Sequence, residues 1–95
     1  MDVPSTVRLI ITGEVQGVGF RESIRVVAQA LQVKGWVRNR ANGSVEAVLQ
    51  GAREDVERLV DWCHNGPPGA SVRFVETEIM DSNEVFAEFA RKPTA

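Results

Sequence analysis

Apolar and polar positions alternate at the start of the chain. Val7, Leu9 and Ile11 stand against Arg8, Ile10 and Thr12, a period of two that predicts a strand ending at Gly13. From Phe20 the period changes. Ile24, Val27, Ala28 and Leu31 follow at spacings that stripe one face of a helix, with Glu22, Arg25, Gln29 and Gln32 on the other. Gly35 sits where a helix C-terminal glycine is expected. Trp36 to Asn39 predict a second strand and Asn42-Gly43 a type I′ hairpin turn, since both residue types tolerate positive φ. Ser44 to Gln50 is the returning strand, with Val45, Ala47 and Leu49 on one face, and Gly51 closes it.

A second amphipathic helix carries Val56, Leu59, Val60 and Cys63 inward and Glu54, Asp55, Glu57, Arg58 and Asp61 outward. Asn65-Gly66-Pro67-Pro68-Gly69 stops it. Val72 to Met80 predict a fourth strand, Asp81-Ser82-Asn83 a turn, and Val85 to Ala90 a short last strand before a polar tail. The order β-α-β-β-α-β, with a possible fifth strand, predicts an α+β fold. It is a ferredoxin-like split βαβ sandwich, with an antiparallel sheet and two helices on one face. In that topology the first and third strands are central.

The 95 residues are expected to form one domain spanning 1–95. Apolar residues make up 43% and charged residues 25% of the chain, a globular balance that argues against disorder. A formal charge of −2 and a pI near 5.4 weigh against a nucleic-acid or acidic-membrane partner, so any anion site has to work locally. One cysteine, Cys63, leaves no intramolecular disulfide and fits a reducing compartment. Met1 to Val7 lack the apolar run of a signal peptide or anchor, and the expectation is a soluble cytoplasmic monomer.

Candidate chemistry concentrates in Gly13-Glu14-Val15-Gln16-Gly17-Val18-Gly19-Phe20-Arg21. Glycines at alternate positions let successive N–H groups turn toward one centre, as in an anion-binding nest. A helix beginning near Arg21 adds unpaired N–H groups and the positive end of its dipole. The Arg21 guanidinium adds a planar fork that fits two oxygens of a phosphate or carboxylate. The spacing departs from GxGxxG and lacks the P-loop Lys-Ser/Thr, and the same pattern also occurs as a bare tight connection.

The other reactive residue types read as structural. His64 lies at a helix end, where a cation suits the dipole. Cys63 is on the apolar face with no basic group placed to activate it. Trp36 and Trp62 read as packing groups, and the acids of the second helix as a solvated face. With a single histidine, no metal site or other cofactor is expected.

Two segments carry a resemblance. Gly13-x-Val15-Gln16-Gly17-Val18-x-Phe20-Arg21 resembles the first acylphosphatase signature. Gly35-Trp36-Val37-Arg38-Asn39-x-x-x-Gly43-x-Val45-x-x-x-x-x-Gly51 resembles the second, and both match without a gap. The likeness covers nearly the whole chain, to Phe89 and the basic residues after it, and departs at Gly19 and at Arg91, where relatives often have an apolar residue. It implies hydrolysis of acyl phosphates to carboxylate and inorganic phosphate, without a metal or a covalent intermediate. It also implies that Arg21 binds phosphate, that Asn39 orients the water, and that the amides of Val15, Gln16, Gly17, Val18, Gly19 and Phe20 form the cradle. The rival reading is a non-catalytic module that binds RNA or a regulatory anion through the same loop. The third strand, Ser44 to Gln50, has no aromatic residue and the chain no tyrosine, which disfavours RNA.

Overall fold

The computed structural model describes residues 4–81 and 83–95. Met1 to Val3, in the stretch expected not to be an anchor, and Ser82, in the expected turn, lie outside them. The elements in order are β1 (Ser5–Glu14), α1 (Phe20–Ala30), β2 (Lys34–Asn39), β3 (Val45–Gly51), α2 (Arg53–Cys63), β4 (Ser71–Ile79) and β5 (Phe89–Arg91). They build one five-stranded sheet in the order β4-β1-β3-β2-β5. Central β1 and β3 run antiparallel, with Leu9 opposite Ala47 and Ile11 opposite Val45. Residues of like parity share a face, so these four side chains point the same way and meet the helices. Phe20, Ile24 and Ala28 of α1 and Val56, Leu59 and Cys63 of α2 complete that core. This is the ferredoxin-like α+β fold.

The fifth strand exists and pairs parallel to β2, which makes the sheet mixed. It starts later than expected, at Phe89, because the chain must first cross from the β4 edge to the β2 edge. Gln50 pins the crossing segment by donating to the Glu84 carbonyl at 2.8 Å and accepting from the Phe86 N–H at 3.0 Å. Backbone groups bonded to a side chain are not available to a strand ladder.

Two local expectations are corrected. Gly35 is a residue of β2, not a helix terminator; α1 ends at Ala30, and the left-handed residue after it is Gln32, with φ 59°. Gly35 serves a close approach instead, since a Cβ there would be driven into the Val48 carbonyl of β3. The β2–β3 turn is not type I′. Gly43 has φ 94°, but Asn42 is not left-handed, and the turn closes through Gly43 N–H to Arg40 O at 3.0 Å. The Asn42 carboxamide oxygen accepts from both the N–H and the hydroxyl of Ser44, which stabilises this local alternative.

Away from the helices the sheet carries a polar cluster. Arg8 and Arg38 each donate to Glu46 at 2.7 Å, one to each carboxylate oxygen. Burial pushes the Glu46 pKa upward, but the hydrogen bonds from Arg38 and Arg8 outweigh it and hold the carboxyl below its usual range. Arg38 and Lys92 also stack over the Trp36 ring, at 4.8 and 4.6 Å from its centroid.

Candidate active site

β1, β2 and β5 all run in one direction, so their C-terminal ends meet on one side of the sheet. There the turn after β1, the first residues of α1, the end of β2 and the end of β5 enclose a depression of about 80 Å³. Arg21 and Asn39 both line it, with Gln16, Gly17 and Gly19. Residues far apart in sequence thus line one depression. Val15 and Phe20 also border it while their side chains are buried in the core, which anchors both ends of the turn. Val18 does not line it; its side chain packs against the core.

The turn has the backbone geometry of a cradle. Gly17 and Gly19 take φ 75° and 76°, and a Cβ at either would meet no atom within 4 Å, so the backbone conformation and not crowding calls for glycine. Gly19 is the N-cap of α1 and supplies no side-chain cap. The first turn of the helix therefore keeps its donors. Among the described residues, the N–H groups from Gln16 to Arg21 find no protein acceptor, and the first such bond is Ser23 N–H to Gly19 O at 3.0 Å. The Arg21 side chain likewise forms no hydrogen bond or ion pair with a described residue.

Gln16 has a role that its place in a glycine-rich motif did not reveal. Its Nε2 donates to Arg40 O at 2.8 Å and to Ser44 O at 2.9 Å. Both carbonyls belong to the turn just beyond Asn39, so this side chain clasps the cradle to the strand that presents the asparagine. A glutamine before a glycine gives no sequence signal of such a partner.

Two further charged residues, Glu22 and Arg91, line the depression. Glu22 accepts from Arg25 at 2.6 and 3.0 Å and from Arg91 at 3.3 Å. The Arg25 hydrogen bond first, and Arg91 after it, bring the Glu22 carboxyl down to about 2. Glu14 is exposed and is not part of the wall.

The remaining candidates lie elsewhere. His64 caps α2, with Nδ1 3.0 Å from Val60 O. Cys63 is fully buried, and burial pushes its thiol far up, away from nucleophilic chemistry. Trp62 packs edge-on against Phe20 at 5.6 Å. No group of three or more His, Cys, Asp or Glu among the described residues is placed to hold a metal. Among the described residues, no helix is long and apolar enough to cross a membrane.

Fold and depression together define a ferredoxin-like domain in which a glycine turn and an arginine, without partners among the described residues, meet at one end of the sheet. Comparison with known proteins narrows the class. The acylphosphatase family model matches residues 7–91. An acylphosphatase of Pelotomaculum thermopropionicum is 49% identical over 85% of this chain and 88% of its own. The structure of an acylphosphatase from Coxiella burnetii superposes with a TM-score of 0.90 at 38% identity, over 94% of this chain and 93% of its own. That of the Bacillus subtilis acylphosphatase gives 0.89 at 32% identity, over 93% and 98%. The chain belongs to the acylphosphatase family, enzymes that hydrolyse acyl phosphates.

Proposed function

We propose that the depression is where this chain hydrolyses acyl phosphates, with the phosphoryl group held by the amides of the Val15–Phe20 turn and by Arg21. The observation that carries the reading is the meeting of unpaired amides, an unpaired guanidinium and Asn39 around one small depression. A carboxyl–phosphate anhydride is already activated. What remains is to neutralise the phosphoryl oxygens and hold a water in line with the carboxylate leaving group.

Asn39 orients that water, since a carboxamide both donates and accepts but is too weak a base to take the proton. As the water oxygen bonds to phosphorus, the P–O bond to the acyl group breaks and the carboxylate leaves with the electron pair. The water proton passes to a phosphate oxygen. This route needs neither a metal nor a covalent intermediate. A single core and sheet support reading residues 1–95 as one domain, and a lone buried thiol fits a reducing cytoplasm.

The test is steady-state hydrolysis of benzoyl phosphate with a chelator present, comparing the wild type with Arg21→Lys. Turnover in the wild type and near-background rates in the variant are expected, because a point charge replaces a fork. A folded protein that binds inorganic phosphate but turns nothing over would mean that the cradle only binds.

A further inference from the structure

The phosphoryl chemistry leaves two charged residues of the depression, Glu22 and Arg91, without a task. Arg91 lines the same depression as Arg21 and Asn39. In the parallel β2–β5 register it stands opposite Val37, on the strand that ends at Asn39. Its side chain is 42% exposed, and its one ion pair is a single N–H to Glu22 Oε1 at 3.3 Å. Glu22 is already engaged by Arg25 through two shorter bonds, of 2.6 and 3.0 Å, so it does not saturate Arg91. The other guanidinium donors of Arg91 have no acceptor among the described residues. A phosphoryl group offers three acceptor oxygens, and the amides of the turn together with Arg21 suffice for them. Arg91 is thus a second, largely uncommitted guanidinium beside the first.

We infer that this enzyme favours acyl phosphates whose acyl group carries a second anionic group, a carboxylate, with Arg21 and the cradle on the phosphoryl end and Arg91 on the far carboxylate. The inference rests on the reading of the phosphoryl site given above. A guanidinium fork matches a carboxylate in shape as well as charge, so it selects for that group over a neutral acyl chain. Glu22 positions Arg91 at the rim, and its low pKa keeps that contact ionised at neutral pH.

The experiment compares kcat/KM for benzoyl phosphate with that for its 3-carboxy and 4-carboxy derivatives, whose rigid ring keeps the carboxylate from attacking the anhydride. The wild type should prefer at least one carboxylated substrate by on the order of fivefold, the size of a partly exposed charge pair. The preference should lie mainly in KM and shrink with added salt. Arg91→Leu should bring the ratio to about one, and Arg91→Lys should retain part of it. No preference in the wild type, or a ratio unmoved by Arg91→Leu in a folded protein, would overturn the inference. So would equal losses on plain and carboxylated substrates. Failure of the wild type to hydrolyse benzoyl phosphate at all would instead overturn the proposed phosphoryl site, so the two failures are distinct.

Discussion

Replacing Gln16 by Met removes the two hydrogen bonds that clasp the cradle to the β2–β3 turn while keeping an unbranched side chain of similar length. A neutral hydrogen bond contributes about 0.5–1.5 kcal/mol net, so two bonds set an upper range of about 1–3 kcal/mol. The lower part of that range applies here. Arg40 O still accepts from Gly43 N–H at 3.0 Å and Ser44 O from Arg40 N–H at 2.9 Å, so neither carbonyl is orphaned by the change. A loss of about 1–2 kcal/mol follows, or roughly 5–12 °C in Tm for a domain of this size. Urea unfolding followed by tryptophan fluorescence measures it, since Trp62 packs against Phe20 at the base of the turn. If the clasp also holds the amides in place relative to Asn39, kcat on benzoyl phosphate should fall by about tenfold or more, because small misplacements of positioned groups are costly. Gln16→Glu should be worse than Met, since it sets a carboxylate against two carbonyl oxygens. A Gln16→Met protein destabilised as calculated but with kcat within about twofold of the wild type would refute the positioning argument. No loss of stability would refute the clasp itself.

Asn39→Ala should reduce kcat by about a hundredfold while inhibition by inorganic phosphate stays nearly constant; lost phosphate affinity at full rate would refute its role toward water. Gly35→Ala should cost about 3 kcal/mol or more in urea unfolding, because the Cβ meets the Val48 backbone carbonyl, which has no rotamer by which to yield, at a φ of 136°. Glu46 has a folded pKa below the ordinary carboxylate value, so its contribution is full above that value and lost as pH falls through the folded one. Unfolding midpoints measured from pH 7 down to pH 3 should drop at the acid end in the wild type. They should drop less in Glu46→Gln, which starts about 2 kcal/mol lower at pH 7; parallel curves would refute the linkage.

The core was legible because it obeys the two periods the backbone imposes. Leu9 and Ile11 on a strand, and Ile24, Ala28, Leu59 and Cys63 on helices, are buried where alternation and the helical stripe put them. The two signatures singled out Arg21 and Asn39, which line one depression, although the spacing of neither shows that β1 and β2 end on the same side of the sheet. The misread positions were glycines and asparagines, whose meaning depends on what lies across from them. Gly35 looks like a helix stop until β3 is laid beside it, and Asn42-Gly43 looks like a type I′ turn until Ser44 gives the Asn42 side chain a local partner. Gln16 and Arg91 were opaque for a related reason. Their partners lie 24 or more positions away, in segments that only the sheet order brings near.

On the proposed reading the site works through backbone amides, guanidinium forks and a carboxamide, which hold oxygen atoms by hydrogen bonds without taking up a proton. Among the described residues the one carboxylate that lines the depression is Glu22, whose pKa is brought down to about 2, so it stays an anion. In the proposed reaction a general acid is not needed, because the leaving carboxylate requires no proton, and a base is not needed, because a phosphate oxygen of the substrate takes the proton of the water. The lone histidine and lone cysteine, which the proposed reaction does not use, lie at the end of α2, one capping the helix and the other filling the core. A reaction whose leaving group is good enough asks the fold for geometry. A glycine turn fastened at one end by Val15, at the other by Phe20 and across the gap by Gln16 supplies it.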